Sequence, residues 1–329
     1  MYDFAAAIIK IDLDQCIIGR FQKANCRDCD VCPLDAIDFN PYPSIDESKC
    51  IGCGICYSAC RFSAIDSNKD DMYILNETEE LEEIKIGCIF SQSDIKVSCI
   101  SRITDALLLY WIAHKKRITV IKGRCNSCKF KETKKLFFYN LKKAITLADA
   151  FDMKADIKVK TIPSKEKFIP TLSVSRRDLF KIRTKSKKIT KREIILGQLK
   201  GKKPAKELEY PETATISIED GCILCGICEH ICPQEAILIE KDAVGKVFFN
   251  PMLCVGCKEC IKACLYNAIS IKPATTKNLA QRPYIVFEVK QQICPSCGKS
   301  FYSTTAGLCP TCKSREQKKK SLLDFIKNI

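Results

Sequence analysis

Apolar and polar positions along the chain repeat one pattern four times: a short β-branched run, a cysteine cluster, then a cysteine followed at +4 and +5 by Ala-Ile. The closing cysteines are Cys32, Cys60, Cys232 and Cys264, and the pairs are Ala36-Ile37, Ala64-Ile65, Ala236-Ile237 and Ala268-Ile269. Lead-in strands are predicted over 8–13, 43–46, 214–218 and 247–249. A unit of about 30 residues rarely sustains a fold alone, so the units should stack in pairs, over 8–67 and 214–271.

Between 71 and 163 the pattern changes to alternating strands and helices, which predicts a small α/β unit. Its strands should be 84–87, 95–98, 118–121 and 157–162. Its helices should be 102–114, with Ile103, Leu107 and Trp111 on one face, and 132–150, with Leu136, Leu141 and Ile145. From 164 to 210 the chain is lysine-rich and poor in aromatics, as in an exposed linker, with helices at 176–183 and near 192–199.

Composition changes this picture in one respect. Twenty-four cysteines, clustered as C-x2-C, argue for metal ligation rather than a disulfide framework, and so for the reducing cytoplasm. The formal charge of +15 counts every thiol as neutral, whereas ligated thiolates are anionic. The basicity is also local: 154–209 holds 18 Lys and Arg against 6 Asp and Glu, while 1–70 has 7 against 11 and 211–273 has 5 against 8. A basic linker should therefore fold against the acidic cysteine-rich segments or dock an acidic redox partner. Nucleic-acid binding is disfavoured, because no aromatics interleave the basic run.

No basic stretch precedes an apolar run at the start, as a secretory signal would require, so the mature chain is expected to begin near Met1. The most apolar helical stretch, 106–113, runs into Lys115, Lys116 and Arg117 and is too short for a membrane span. Ser175-Arg176-Arg177-Asp178-Leu179-Phe180 looks like a twin-arginine signal, but it is internal and no apolar stretch follows.

Three units read C-x2-C-x2-C-x3-C: Cys50, Cys53, Cys56 and Cys60; Cys222, Cys225, Cys228 and Cys232; and Cys254, Cys257, Cys260 and Cys264. Thiolates three residues apart on a loop can face one cubane, while the fourth must reach the neighbouring one. Gly52, Gly54, Gly226 and Gly256 let the backbone turn tightly there. The first unit departs from this spacing, with Cys16, Cys26, Cys29 and Cys32, and an insertion explains the gap. Zinc is the alternative for these sixteen thiols, but zinc sites pair two C-x2-C knuckles rather than a run of three plus one. His230 reads as a surface or packing residue rather than a ligand.

These motifs resemble the bacterial-type two-cluster ferredoxins, most completely at Cys222 to Cys264, where Pro233 follows the fourth cysteine. The resemblance implies an α+β chain with two ferredoxin-like βαβ-repeat domains, a polyferredoxin-like arrangement, flanking the α/β unit. It also implies four [4Fe-4S] clusters in crossed sets. Cys222, Cys225, Cys228 and Cys264 would hold one, and Cys254, Cys257, Cys260 and Cys232 the second. Cys50, Cys53, Cys56 and Cys32 would hold the third, leaving Cys16, Cys26, Cys29 and Cys60 for the fourth. Arg61 and Leu265 replace the family's proline after Cys60 and Cys264.

Cys88, Cys99 and the Cys125/Cys128 pair each follow a predicted strand, and parallel strands converge on ligands at their carboxyl edge. A fifth iron–sulfur cluster, a second zinc, a redox-active pair, or buried cysteines beside an unrelated pair all fit. At the carboxyl end, Cys294-Pro-Ser-Cys297 and Cys309-Pro-Thr-Cys312 resemble a zinc ribbon, and its shortness favours zinc over a single rubredoxin-like iron.

The expected segments are 1–72, 73–163, a linker at 164–210, 211–290, a ribbon at 291–315 and a tail helix at 316–329. With no G-x-G-x-x-G, P-loop, C-x-x-C-H or H-E-x-x-H, the expectation is an electron carrier. It would be a polyferredoxin, or a subunit serving a dehydrogenase, hydrogenase or reductase. The alternative is an oxidoreductase working at the middle cysteines.

Overall fold

The structure, a computed structural model, describes residues 2–22, 24, 26–164 and 188–327. It divides into two compact units, Met1–Glu212 with Ala274–Ala280, and Thr213–Pro273 with Gln281–Ile329.

The first unit opens with β1 (Tyr2–Asp3) and β2 (Ile9–Ile11), then α1 (Ile17–Arg20), β3 (Ile37–Asp38), β4 (Ser44–Ile45), α2 (Ile55–Ala59) and β5 (Ile65–Ser67). β2 pairs antiparallel with β5, Ile11 opposite Ile65, and β3 with β4. After α3 (Asp71–Glu77) come β6 (Glu83–Cys88), β7 (Ile95–Val97), α4 (Asp105–Ala113), β8 (Arg117–Lys122), α5 (Lys134–Ala150) and β9 (Ile157–Thr161). The strands form a parallel sheet in the order β1-β7-β6-β8-β9. All four predicted middle strands are present, and β1 adds a fifth that its two residues could not announce.

α4 starts where Thr104 accepts the Leu107 N–H, with Asp105 in the first turn. The expected start at 102 falls in a short 3-10 turn, Ile100–Arg102. The helix is also buried all round, through Leu107, Leu108, Leu109, Trp111 and Ile112, rather than on one face. On α5 the apolar face is Phe137, Ala144, Leu147 and Ala148, and Ile145 is exposed. Buried Asn140 and Lys143 lie on the same face and hid its period in the sequence.

The described end of the expected linker is a packed element. α6 (Lys191–Leu199) starts at a capping box of Thr190 and Glu193, and buries Ile194, Ile195 and Leu199 in the core of the first unit. The apolar spacing 194–195–199 is helical, and it outweighs the lysines around it. The 176–183 helix and the twin-arginine-like run lie outside the described residues.

The second unit holds β10 (Glu209–Ile218), which begins in the first unit, then α7 (Ile227–Ile231), β11 (Ile237–Lys241), β12 (Val244–Phe249), α8 (Glu259–Ala263) and β13 (Ile269–Thr275). β10 is hydrogen-bonded to β13. β14 (Tyr284–Ile293) and β15 (Ser300–Tyr302) complete an antiparallel sheet β11-β12-β14-β15, and α9 (Pro310–Lys327) follows. The expected boundary at 290 thus falls inside one strand, and the last helix starts at 310 rather than 316. Among the described residues no helix is long and apolar enough to cross a membrane.

Candidate metal centres

The four-fold repeat is a repeat of backbone geometry. Three residues after each closing cysteine stands a residue with left-handed φ: Asp35 (49°), Ser63 (55°), Glu235 (51°) and Asn267 (50°). Each donates its N–H to the cysteine carbonyl, at 3.3, 3.3, 3.3 and 3.2 Å in that order. That turn aims the next N–H at sulfur. Ala36, Ala236 and Ala268 donate to Cys32, Cys232 and Cys264 Sγ at 3.4, 3.3 and 3.4 Å, and the Ala64 N–H acts on Cys60. All four alanines are only 2% exposed, which explains why a small residue stands there. Their carbonyls accept in turn from Asp46, Asp12, Asn250 and Glu219, just ahead of the first cysteine of the partner unit.

The loops between the first three cysteines need two left-handed residues, at +2 and +4 from the first. They are Gly52 and Gly54, Leu224 and Gly226, and Gly256 and Lys258. Leu224 and Lys258 carry side chains in this conformation, so glycine counting missed them. Gly52 is the tightest: a Cβ there would stand 2.0 Å from the Ala7 carbonyl oxygen.

Electrostatics report which thiols share a site. Burial pushes Cys29 up to about 12, with Cys60, Cys26 and Cys16 adding to it, and Cys26 up to about 11, with Cys60 again contributing. Burial pushes Cys53 up to about 11, helped by Cys32, Cys50 and Cys99. In the second unit burial lifts Cys222, with Cys225 and Cys264 adding, and lifts Cys228 to about 12, with Cys222 and Cys225. Cys260 is likewise raised to about 12 by burial and then by Cys257, Cys254 and Cys232. Members of each crossed quartet therefore lie near enough for their charges to act on one another, the atypical quartet included.

Two of the quartets also line a small cavity. One, of about 20 Å³, is lined by Cys32, Cys50, Cys53 and Cys56 together with Ile9, Ile37, Ile45 and Ile55. The other, also about 20 Å³, is lined by Cys232, Cys254, Cys257 and Cys260 with Ile216, Ile237 and Phe249. Four thiols around an apolar chamber, with N–H groups aimed at sulfur, fit an iron–sulfur cubane.

The insertion in the first unit is fastened by the residue that replaces the family's proline. Arg61 grips Asp28 with three bonds, Nε to Oδ2 at 2.7 Å, Nη2 to Oδ1 at 2.9 Å and its backbone N–H to Oδ2 at 3.2 Å, and so ties Cys60 to the Cys26–Cys29 loop. Lys191, which the sequence offered only as one of many lysines, is 7% exposed and donates to the carbonyls of Tyr57 at 2.6 Å and Ser58 at 2.9 Å. Burial pulls its ammonium below the ordinary lysine range, against the pull of Cys60.

At the sheet's carboxyl edge, Cys88 ends β6, Cys99 follows β7 and Cys125 follows β8. Gly123 donates to Cys88 Sγ at 3.3 Å and Phe130 to Cys128 Sγ at 3.4 Å. Burial raises the Cys125 thiol, and Cys88, Cys99 and Cys128 all add to the shift. In the last segment the four ligand atoms of Cys294, Cys297, Cys309 and Cys312 lie within 4.8 Å of one another, the one such group among the described residues. Cys297 and Cys309 Sγ are 3.8 Å apart, about the edge of a tetrahedron with 2.3 Å metal–sulfur bonds. The Cys309 N–H, 3.3 Å from Cys294 Sγ, holds that thiol down at about 6.

Known proteins match the cysteine-rich stretches. Residues 221–268 match the family described as 4Fe-4S dicluster domain, and residues 43–66 the 4Fe-4S binding domain. An uncharacterized ferredoxin of Methanocaldococcus jannaschii is 39% identical over 57 residues, 17% of this chain and 74% of the ferredoxin. The B component of polysulfide reductase from Wolinella succinogenes is 39% identical over 56 residues, 16% of this chain and 28% of that component. The protein NrfC of Escherichia coli is 38% identical over 69 residues, 20% of this chain and 30% of NrfC. The chain thus spans less than a third of the last two relatives' own length.

Proposed function

Because the chain belongs to the ferredoxin family, we propose that it is an iron–sulfur electron-transfer protein, either a polyferredoxin or the electron-transfer subunit of an oxidoreductase. The observation that carries this reading is the convergence of two crossed cysteine quartets, one in each unit, on apolar chambers. Each quartet is assigned one [4Fe-4S] cluster: Cys16, Cys26, Cys29 and Cys60; Cys32, Cys50, Cys53 and Cys56; Cys222, Cys225, Cys228 and Cys264; Cys232, Cys254, Cys257 and Cys260. The cluster supplies one-electron storage when bound. The chain's own part is to exclude water with the isoleucine walls and to stabilise thiolate charge with the alanine N–H groups.

The middle quartet is assigned a fifth iron–sulfur group. A single zinc would need the four sulfurs drawn as close as those of Cys294, Cys297, Cys309 and Cys312, which take the zinc-ribbon assignment. Cys99 contributes to the field at Cys53, so a fifth group there would continue the row of centres in the first unit. A reductase or dehydrogenase component is the partner class, in keeping with the name of the polysulfide reductase component. Dependence on free thiolates fits a reducing compartment such as the cytoplasm.

The test is anaerobic purification with iron, acid-labile sulfide and zinc counted per chain. About sixteen irons from four cubanes, further iron from the fifth group, and one zinc are expected. Protein without labile sulfide and with zinc filling the quartets would refute the assignment.

A further inference from the structure

Among the described residues, Lys191 is a buried cation with no side-chain anion of its own. Its ammonium reaches two neutral carbonyls, of Tyr57 and Ser58, and lies over the Tyr57 ring at 5.2 Å. The nearby carboxylates make their direct contacts elsewhere, Asp71 with Arg102 at 2.8 Å and Asp105 with Lys143 at 3.0 Å, and act on Lys191 only from beyond contact, as Cys60 does. An ammonium taken out of water with no anion in contact is expensive, and such groups persist where an anion completes the site. Ser58 stands two residues before Cys60, which is 6% exposed and feels the Lys191 charge.

We propose that Lys191 is the buried counter-charge of the cluster site closed by Cys60, favouring that site's reduced form and locking α6 onto the core when the site is filled. This rests on the ligand assignment above. Four thiolates around a core of charge about +2 leave the oxidised site near −2, and taking up one electron makes it near −3. No bond breaks and no proton is required; the redox partner supplies the electron. A fixed positive charge beside the site favours the more negative state, so the Cys60 site is reduced more readily than it would be without Lys191. Thr190 and Glu193 start the helix just at this lysine, so the cap and the charge fix its approach together.

The experiment is redox-poised EPR on the full chain, with the Cys60 signal assigned by its loss in Cys60→Ser. In Lys191→Gln, which keeps a donor but removes the charge, the reduced-to-oxidised ratio at fixed potential should fall about tenfold, or about 59 mV for one electron. Lys191→Arg should restore it. The signals of the second unit should not move. Should Lys191→Gln fail to hold that cluster at all, its retention by Lys191→Arg supports the inference and its loss there as well overturns it. An unchanged ratio with full iron and sulfide overturns the inference and leaves the cluster assignment standing. Absence of labile sulfide from the wild-type chain would instead defeat the assignment. As a second readout, removing the cluster should speed amide hydrogen exchange across 191–199, and unchanged protection would count against the counter-charge role.

Discussion

Lys143 Nζ lies 3.0 Å from an Asp105 carboxylate oxygen, and both side chains are less than 9% exposed. Glu212 meets the same ammonium at 3.1 Å, and Tyr210 donates its hydroxyl to Asp105. This network joins α4, α5 and the chain just before the second unit, and its strength lies in completeness.

Lys143→Met should therefore destabilise the first unit by about 3–5 kcal/mol, because buried Asp105 and half-buried Glu212 both lose their cation. Denaturant unfolding followed by Trp111, the only tryptophan in the chain and 1% exposed, reads the loss. A change under about 1 kcal/mol would mean that water reaches the pair.

Acid should act through Asp105. Burial alone would raise its pKa, but Lys143, then Lys191 and the hydrogen bonds of Lys143 and Tyr210, bring it below the ordinary range. The unfolded chain then binds the proton more readily, so stability is present above the unfolded pKa of about 3.9 and is lost as pH falls below it. The stability gap between wild type and Asp105→Asn should be full at about pH 7 and close below about pH 4. A gap independent of pH would contradict the assignment.

Gly52→Ala and Gly226→Ala separate backbone strain from collision. Both glycines have left-handed φ, but a Cβ at Gly52 would meet the Ala7 oxygen at 2.0 Å, whereas at Gly226 nothing lies within 4 Å. Gly226→Ala should cost about 1–2 kcal/mol and keep its iron. Gly52→Ala should lose iron from the first unit, as metal analysis would show.

Asp28→Ala removes the grip of Arg61 on the Cys26–Cys29 loop. One cluster of the first unit should become labile to a chelator while the second unit keeps both, and equal release rates would deny the clasp its role.

Chelation at the carboxyl end should be separable from the rest. A zinc-specific chelator should release one metal and disorder 294–312, leaving iron intact, since β14 is held independently by β12. Loss of iron in parallel would show that the segments are not independent.

Much of this was legible because period and spacing are local. The four strands of the middle sheet and the three regular cysteine runs follow from patterns within about ten residues. The atypical first unit was readable from its lead-in strand and its Ala-Ile pair, but its clasp was not, since Arg61 and Asp28 are 33 residues apart. Lys191 was lost among lysines because its role depends on carbonyls more than 130 residues away. The face of α5 was misjudged because Lys143 is a charged residue whose partners lie on other elements.

The residue three places beyond each closing cysteine is an aspartate, a serine, a glutamate and an asparagine in turn, and all four bend the chain the same way. What recurs is handedness, with chemistry left open. The chain thus has four adjustable seats beside its closing cysteines, where charge can be exchanged without altering the turn that aims the alanine N–H groups at sulfur. A lineage, or an engineer, could retune each centre there one residue at a time.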